Sequence, residues 1–85
     1  MTNYQFAEEI AYELQNGQGL DVGGIRDKGR NIYIDILGGN NSWDNEDFLR
    51  EVVMDAADFL GVRLHFVSFI SDILSGRIEE VVLEF

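Results

Sequence analysis

The segment Ile32-Tyr33-Ile34-Asp35-Ile36-Leu37 constrains the fold of this chain more than any other. Its isoleucines recur every second residue. That spacing puts them on one face of a β-strand and leaves Tyr33, Asp35 and Leu37 on the other. Such a strand needs neighbours along its edges and a covering layer over its apolar face. The preceding neighbour is Leu20 to about Arg26, joined through Asp27-Lys28-Gly29, with Gly29 suited to the left-handed position of a G1 bulge. Gly23-Gly24 inside that strand predicts a bulge or a bend.

Two segments with helical spacing supply the cover. The first runs from about Asn3 to Asn16. Thr2 and Gln5 form a capping-box pattern, Phe6, Ile10 and Leu14 recur at i, i+4, i+8, and Gly17 follows as an αL cap. The second follows the loop Gly38-Gly39-Asn40-Asn41, with Ser42 as N-cap, and ends at about Leu60 before Gly61. Its apolar face is Phe48, Leu49, Val52, Val53, Ala56, Phe59 and Leu60, with Phe48 expected in the core. Beyond it, Arg63 to Ser68 and Ile78 to Phe85 are β-prone, and Ser71 to Gly76 connects them as a turn or single helical turn. A helix over Phe69–Leu74 is the alternative. The fold class expected is α+β, two helices packed on one face of an antiparallel sheet, in the order α-β-β-α-β-β.

At 85 residues the chain makes a single domain, 1–85, with one modest core. It has no Cys and no Pro, so neither a disulfide nor a thiolate metal site can form. The absence of cysteine and of any long apolar run leads to a cytoplasmic protein with no membrane segment. Sixteen Asp and Glu oppose six Lys and Arg, for a net charge of −10. Half of that net charge falls within residues 39–61, where Asp44, Glu46, Asp47, Glu51, Asp55 and Asp58 face Arg50 alone.

At about 100° per residue, Asp44, Asp47, Glu51, Asp55 and Asp58 fall within an arc of about 80° on the second helix, away from its apolar face. Local helix chemistry accounts for the first turns. Asp44, Glu46 and Asp47 suit the positive end of the helix dipole, and Arg50 is spaced to pair with Glu46. It does not account for Asp55 and Asp58, which stand where the dipole disfavours anions. The like-charged neighbours along the stripe cost about 1–2 kcal/mol in total. A stripe kept against those costs points to binding. A solvated face kept acidic for solubility is the alternative. Trp43, Met54 and Phe48 flank the stripe, and Trp43 suits either a hydrophobic staple or a partner contact. Glu9 and Glu13 lie on the outer face of the first helix, with Tyr12 nearby.

Little else carries chemistry. His65 is the only histidine and falls in a β-prone run, as does Ser68, so a catalytic triad is not built. Gly17-Gln18-Gly19 with Gly23 has the wrong spacing for a dinucleotide loop and follows a helix. Asn40, Ser42, Asp44 and Glu51 stand at EF-hand offsets, but Asn45 replaces the glycine of the sharp turn. No metal, cofactor or catalytic residue is expected, and the reading is not an enzyme. Arg26, Lys28 and Arg30 at the hairpin tip could touch phosphate, but the overall charge repels nucleic acid.

In size, acidity, lack of cysteine and mixed α+β content, the whole chain resembles the small phage-encoded inhibitors, the anti-CRISPR proteins and antirestriction DNA mimics. That resemblance implies a phage-encoded protein acting in the host cell, with a nuclease complex or other basic nucleic-acid-binding protein as partner. It implies steric blockade of a DNA or RNA site and no direct nucleic-acid binding. The contact residues expected from the sequence are Asp44, Asp47, Glu51, Asp55, Asp58, Glu9, Glu13, Trp43 and Met54, with Glu79, Glu80 and Glu84 as further candidates. The second reading is a non-catalytic assembly module, such as a homodimer, pairing through a helix face or through a sheet edge completed by Val81-Val82-Leu83 and Phe85.

Overall fold

A computed structural model describes residues 1–39 and 45–85. The described chain forms α1 (Asn3–Gln18), β1 (Leu20–Lys28), β2 (Asn31–Gly39), α2 (Glu46–Leu60), β3 (Phe66–Ser71) and β4 (Ile78–Glu84). The order is the α-β-β-α-β-β expected, and the fold class is α+β. All strand pairs are antiparallel, in the order β1-β2-β4-β3. Among the described residues no helix is long and apolar enough to cross a membrane.

The isoleucine alternation behaves as the sequence predicts. Ile32, Ile34 and Ile36 are buried, and pairing sets Ile32 against Leu83 and Ile34 against Val81, both also buried. Val67 joins this face through Leu83. Ala7, Ile10, Ala11 and Leu14 of α1 and Leu49, Val53 and Ala57 of α2 cover it. The buried residues are all hydrophobic among those described, so the core contains no site chemistry. The pairs Tyr33–Val82 and Asp35–Glu80 fall on the alternate face. That face is turned away from the helices.

Helix α1 starts as expected: the Thr2 hydroxyl accepts from the Gln5 N–H at 3.1 Å, and the Gln5 side chain accepts from the Thr2 N–H at 2.8 Å. Its end differs. Gly19, not Gly17, takes the left-handed conformation, with φ 70°, and donates its N–H to Leu14 O. The helix therefore runs through Gly17, where the Glu13 carboxylate lies over the position a Cβ would take. The hairpin tip is also one step later than expected. Lys28 pairs with Asn31 around a two-residue Gly29-Arg30 loop, and only Gly29 has positive φ, at 82°. The Asp27 carboxylate accepts from the Gly29 N–H at 2.9 Å and fixes that turn. Between Val22–Ile36 and Ile25–Ile34, Gly23 and Gly24 together oppose Asp35, which is the bulge the glycine pair predicts.

Helix α2 is capped by Asn45, whose side chain accepts from the Phe48 N–H at 3.1 Å. Ser42, expected as the cap, lies outside the described residues. Gly61 closes the helix as expected, with φ 74°. The buried stripe is narrower than the apolar face in the sequence. Leu49, Val53 and Ala57 are buried, whereas Phe48 is 39% exposed and Phe59 is 91% exposed. One thin sheet and one neighbouring helix can cover only that stripe.

In the C-terminal third, β3 starts at Phe66 and not at Arg63, so His65 precedes the strand. It is exposed, and its N–H donates to Glu84 O at 2.7 Å. The α2 cap extends to Val62, which still donates back to Ala57 O at 3.0 Å. The helix alternative over Phe69–Leu74 is not formed: Phe69–Ser71 complete β3, and a tight turn leads to β4. Strand β4 is interior, paired with β2 on one side and β3 on the other. Val81-Val82-Leu83 therefore cannot complete a partner's sheet, and the Phe85 N–H is taken by Arg30 O at 2.9 Å. The true edges are β1, interrupted by its bulge, and the six-residue β3.

Candidate partner-binding face

The outer side of the helical layer is built from two elements with opposite requirements. Each helix must present its small and aliphatic residues to the sheet, so its charged residues turn outward. Along α2, Asp47, Glu51, Asp55 and Asp58 lie about 160° around the helix from the centre of the Leu49–Val53–Ala57 stripe. All four are exposed. From Asp47 to Asp58 they run about 17 Å along the axis. Asp44 and Trp43, expected in the same face, lie outside the described residues.

The four are not equivalent. Asp47 accepts from the Arg50 guanidinium at 3.3 Å. Arg50 was expected to pair with Glu46, which instead accepts from the Ser71 hydroxyl at 3.3 Å. Tertiary contacts draw the arginine away. Its Nε–H donates to Val67 O at 3.3 Å, and its guanidinium stands 5.2 Å from the Phe69 ring centre. Glu51, Asp55 and Asp58 form no ion pair among the described residues. Arg50 is the sole Lys or Arg on either helix, against eight Asp and Glu.

The two helices bring part of the sequence prediction together. Glu9 and Glu13 of α1 and Asp55 of α2 line one open groove of about 510 Å³. Its apolar lining is Val52, Ala56 and Leu60, with the rings of Tyr12 (65% exposed) and Phe59 (91% exposed). Glu51 and Asp58 belong to the exposed surface of α2 outside this lining, and so does Met54. Of the further candidates, Glu80 and Glu84 face away from the helices on the other side of the sheet, where the Arg26 guanidinium pairs with Glu80 and Asp35. Glu79 is also on β4.

The sequence places Val52, Ala56, Phe59 and Leu60 on the apolar face of the second helix and does not single them out as groove residues; Val52, Ala56 and Leu60 also pack against the core, whereas Phe59 does not. The available signal was that α2 carries more apolar residues than one helix face can bury. A second depression, of about 540 Å³, lies beside β4 and includes Asp72, Ser75 and Arg77. The first two are engaged within the turn: Asp72 accepts from the Ser75 hydroxyl at 2.7 Å, and that hydroxyl oxygen accepts from the Arg77 N–H at 3.2 Å. The remaining cations gather at the hairpin end. Lys28 stands 4.8 Å from the Tyr33 ring centre, while Arg30, Arg63 and His65 surround Glu84 and Phe85. The chain matches no protein-family model, no curated protein and no solved structure.

Proposed function

We propose that this protein is a non-catalytic inhibitor that docks its acidic helical face on a basic nucleic-acid-handling protein and blocks the DNA or RNA site. The observation that carries this reading is the joining of carboxylates from two helices around one groove, with a single arginine on that layer and that arginine directed toward β3. Carboxylates spaced about 5–6 Å along α2 offer a cationic groove anionic groups at somewhat wider intervals than the roughly 3.4 Å between phosphates of one DNA strand. The charge at the C-terminal end of α2 supports the same reading, because helix stability alone favours cations there. In type, such a protein stands beside the phage-encoded anti-CRISPR and antirestriction inhibitors. The setting proposed is the cytoplasm of a host cell.

The test is displacement of labelled duplex DNA from basic nucleic-acid-binding proteins and nuclease complexes. The variant with Asp47→Asn, Glu51→Gln, Asp55→Asn and Asp58→Asn should displace at least tenfold less well. Binding of the native chain to the basic protein, measured without nucleic acid, should weaken steeply between about 50 and 200 mM salt. Equal displacement by the variant would remove the mechanism.

A further inference from the structure

We infer that the groove between α1 and α2 receives an amphipathic helix of the partner, apolar on one side and lysine- or arginine-rich on its flanks. The inference rests on reading the helical layer as the partner-binding face, and it names what enters it. Three observations select this occupant. The groove is lined by side chains of two helices whose backbone groups are already bonded within each helix. An extended peptide laid there would find no N–H or C=O to pair with, whereas a helix satisfies its own backbone. The apolar lining of Val52, Ala56 and Leu60 with the open rings of Tyr12 and Phe59 matches the apolar stripe of such a helix. The charged positions are Glu9 and Glu13 on one wall and Asp55 on the other. They meet cations on the flanks of the incoming helix and repel an acidic one.

The groove lining spans residues 9–18 of α1 and 52–60 of α2, about 12–14 Å of each helix, enough for two to three turns of a guest. Tyr12 and Phe59 are the anchors, since exposed aromatics at the centre of a contact carry most of its energy. Their removal leaves the core intact, because neither is buried.

The experiment uses the full chain and three labelled peptides of about 18 residues. The first carries leucine at i, i+3, i+4, i+7 spacing with lysine elsewhere. The second has the same composition in scrambled order. The third keeps the leucines and replaces lysine by glutamate. Fluorescence anisotropy should show the first binding at least tenfold tighter than either control. The Tyr12→Ala, Phe59→Ala double variant should lose at least tenfold of that affinity while keeping its thermal midpoint within a few degrees. Amide shifts on binding should centre on Tyr12, Val52, Ala56 and Phe59. Equal binding of the scrambled peptide, no binding of the first peptide, or an unchanged double variant would each overturn the inference. Failure of the native chain to displace nucleic acid, with peptide binding intact, overturns the inhibitor reading alone.

Discussion

Asp72 shows how one side chain can hold a turn and report on it. Its carboxylate accepts from the Ser75 hydroxyl at 2.7 Å and from the Ser75 N–H at 3.2 Å, and its backbone oxygen accepts from the Gly76 N–H at 2.9 Å. The Ser75 hydroxyl first, then the Ser75 N–H, hold its pKa below the ordinary value. A carboxyl with a depressed folded value stabilises the turn above its unfolded value of about 3.9, and that contribution fades as pH falls through the folded value. A carboxyl titration by NMR should therefore give a midpoint under about 3.9 for Asp72, moving upward in Ser75→Ala. A native midpoint at or above the ordinary value would contradict the assignment. The turn holds Ile73 and Leu74 in water, at 97% and 95% exposure. Two glycines give an opposite pair of expectations. At Gly39, φ is 135° and a Cβ would stand 2.8 Å from the Leu20 Cα, so Gly39→Ala should cost about 1–3 kcal/mol. At Gly17, inside α1, the only obstacle is the flexible end of Glu13, so Gly17→Ala should add about 0.5–1 kcal/mol. Denaturant midpoints of the two variants should move in opposite directions.

At the scale of the element, the binding role proposed for α2 would work against its folding. Its start is well served: Asn45 caps it, and Glu46 and Asp47 lie in its first turn. Its last turn contains no basic residue. Asp58 sits there at the negative end of the helix dipole, one turn after Asp55. Replacing both by lysine should stabilise the fold by about 0.5–1 kcal/mol, since the substitution removes like-charge neighbours and suits the dipole. The same change should abolish displacement of nucleic acid from a basic partner. A thermal melt and a displacement assay on one Asp55→Lys, Asp58→Lys variant read both effects. A variant that is less stable would show that these carboxylates serve the fold. The sequence displays this conflict directly, because helix position and charge are both local properties.

Across the whole molecule, what could be read in advance divides by the range of the interaction. The isoleucine alternation of β2, the Thr2–Gln5 box, the bulge at Gly23-Gly24 and the close of α2 at Gly61 each depend on a few adjacent residues. The choice of Gly19 over Gly17 is not marked locally, since both glycines stand at the end of the same helical pattern. The partner of Arg50 depends on the β3 carbonyl it reaches. The groove was the least legible feature. Glu9 and Asp55 are far apart in sequence, and only the order β1-β2-β4-β3 with both helices on one face brings them together. Phe48, expected in the core, is part exposed for a related reason. Hydrophobicity marks a residue as able to be buried, but the number of neighbours available to bury it is set by the completed layer.

The uneven placement of charge has a kinetic consequence. The helices hold eight anionic side chains and one cationic one, while five of the six Lys and Arg lie outside them. A body charged in this way has an electric moment directed from the helical layer to the strands. Near a strongly basic surface, torque acts before contact, and the molecule turns its helices forward while still a Debye length away. If the helical face is the docking surface proposed above, collisions otherwise wasted in wrong orientations become productive, and capture of a basic partner is expected to be faster than net charge alone would give.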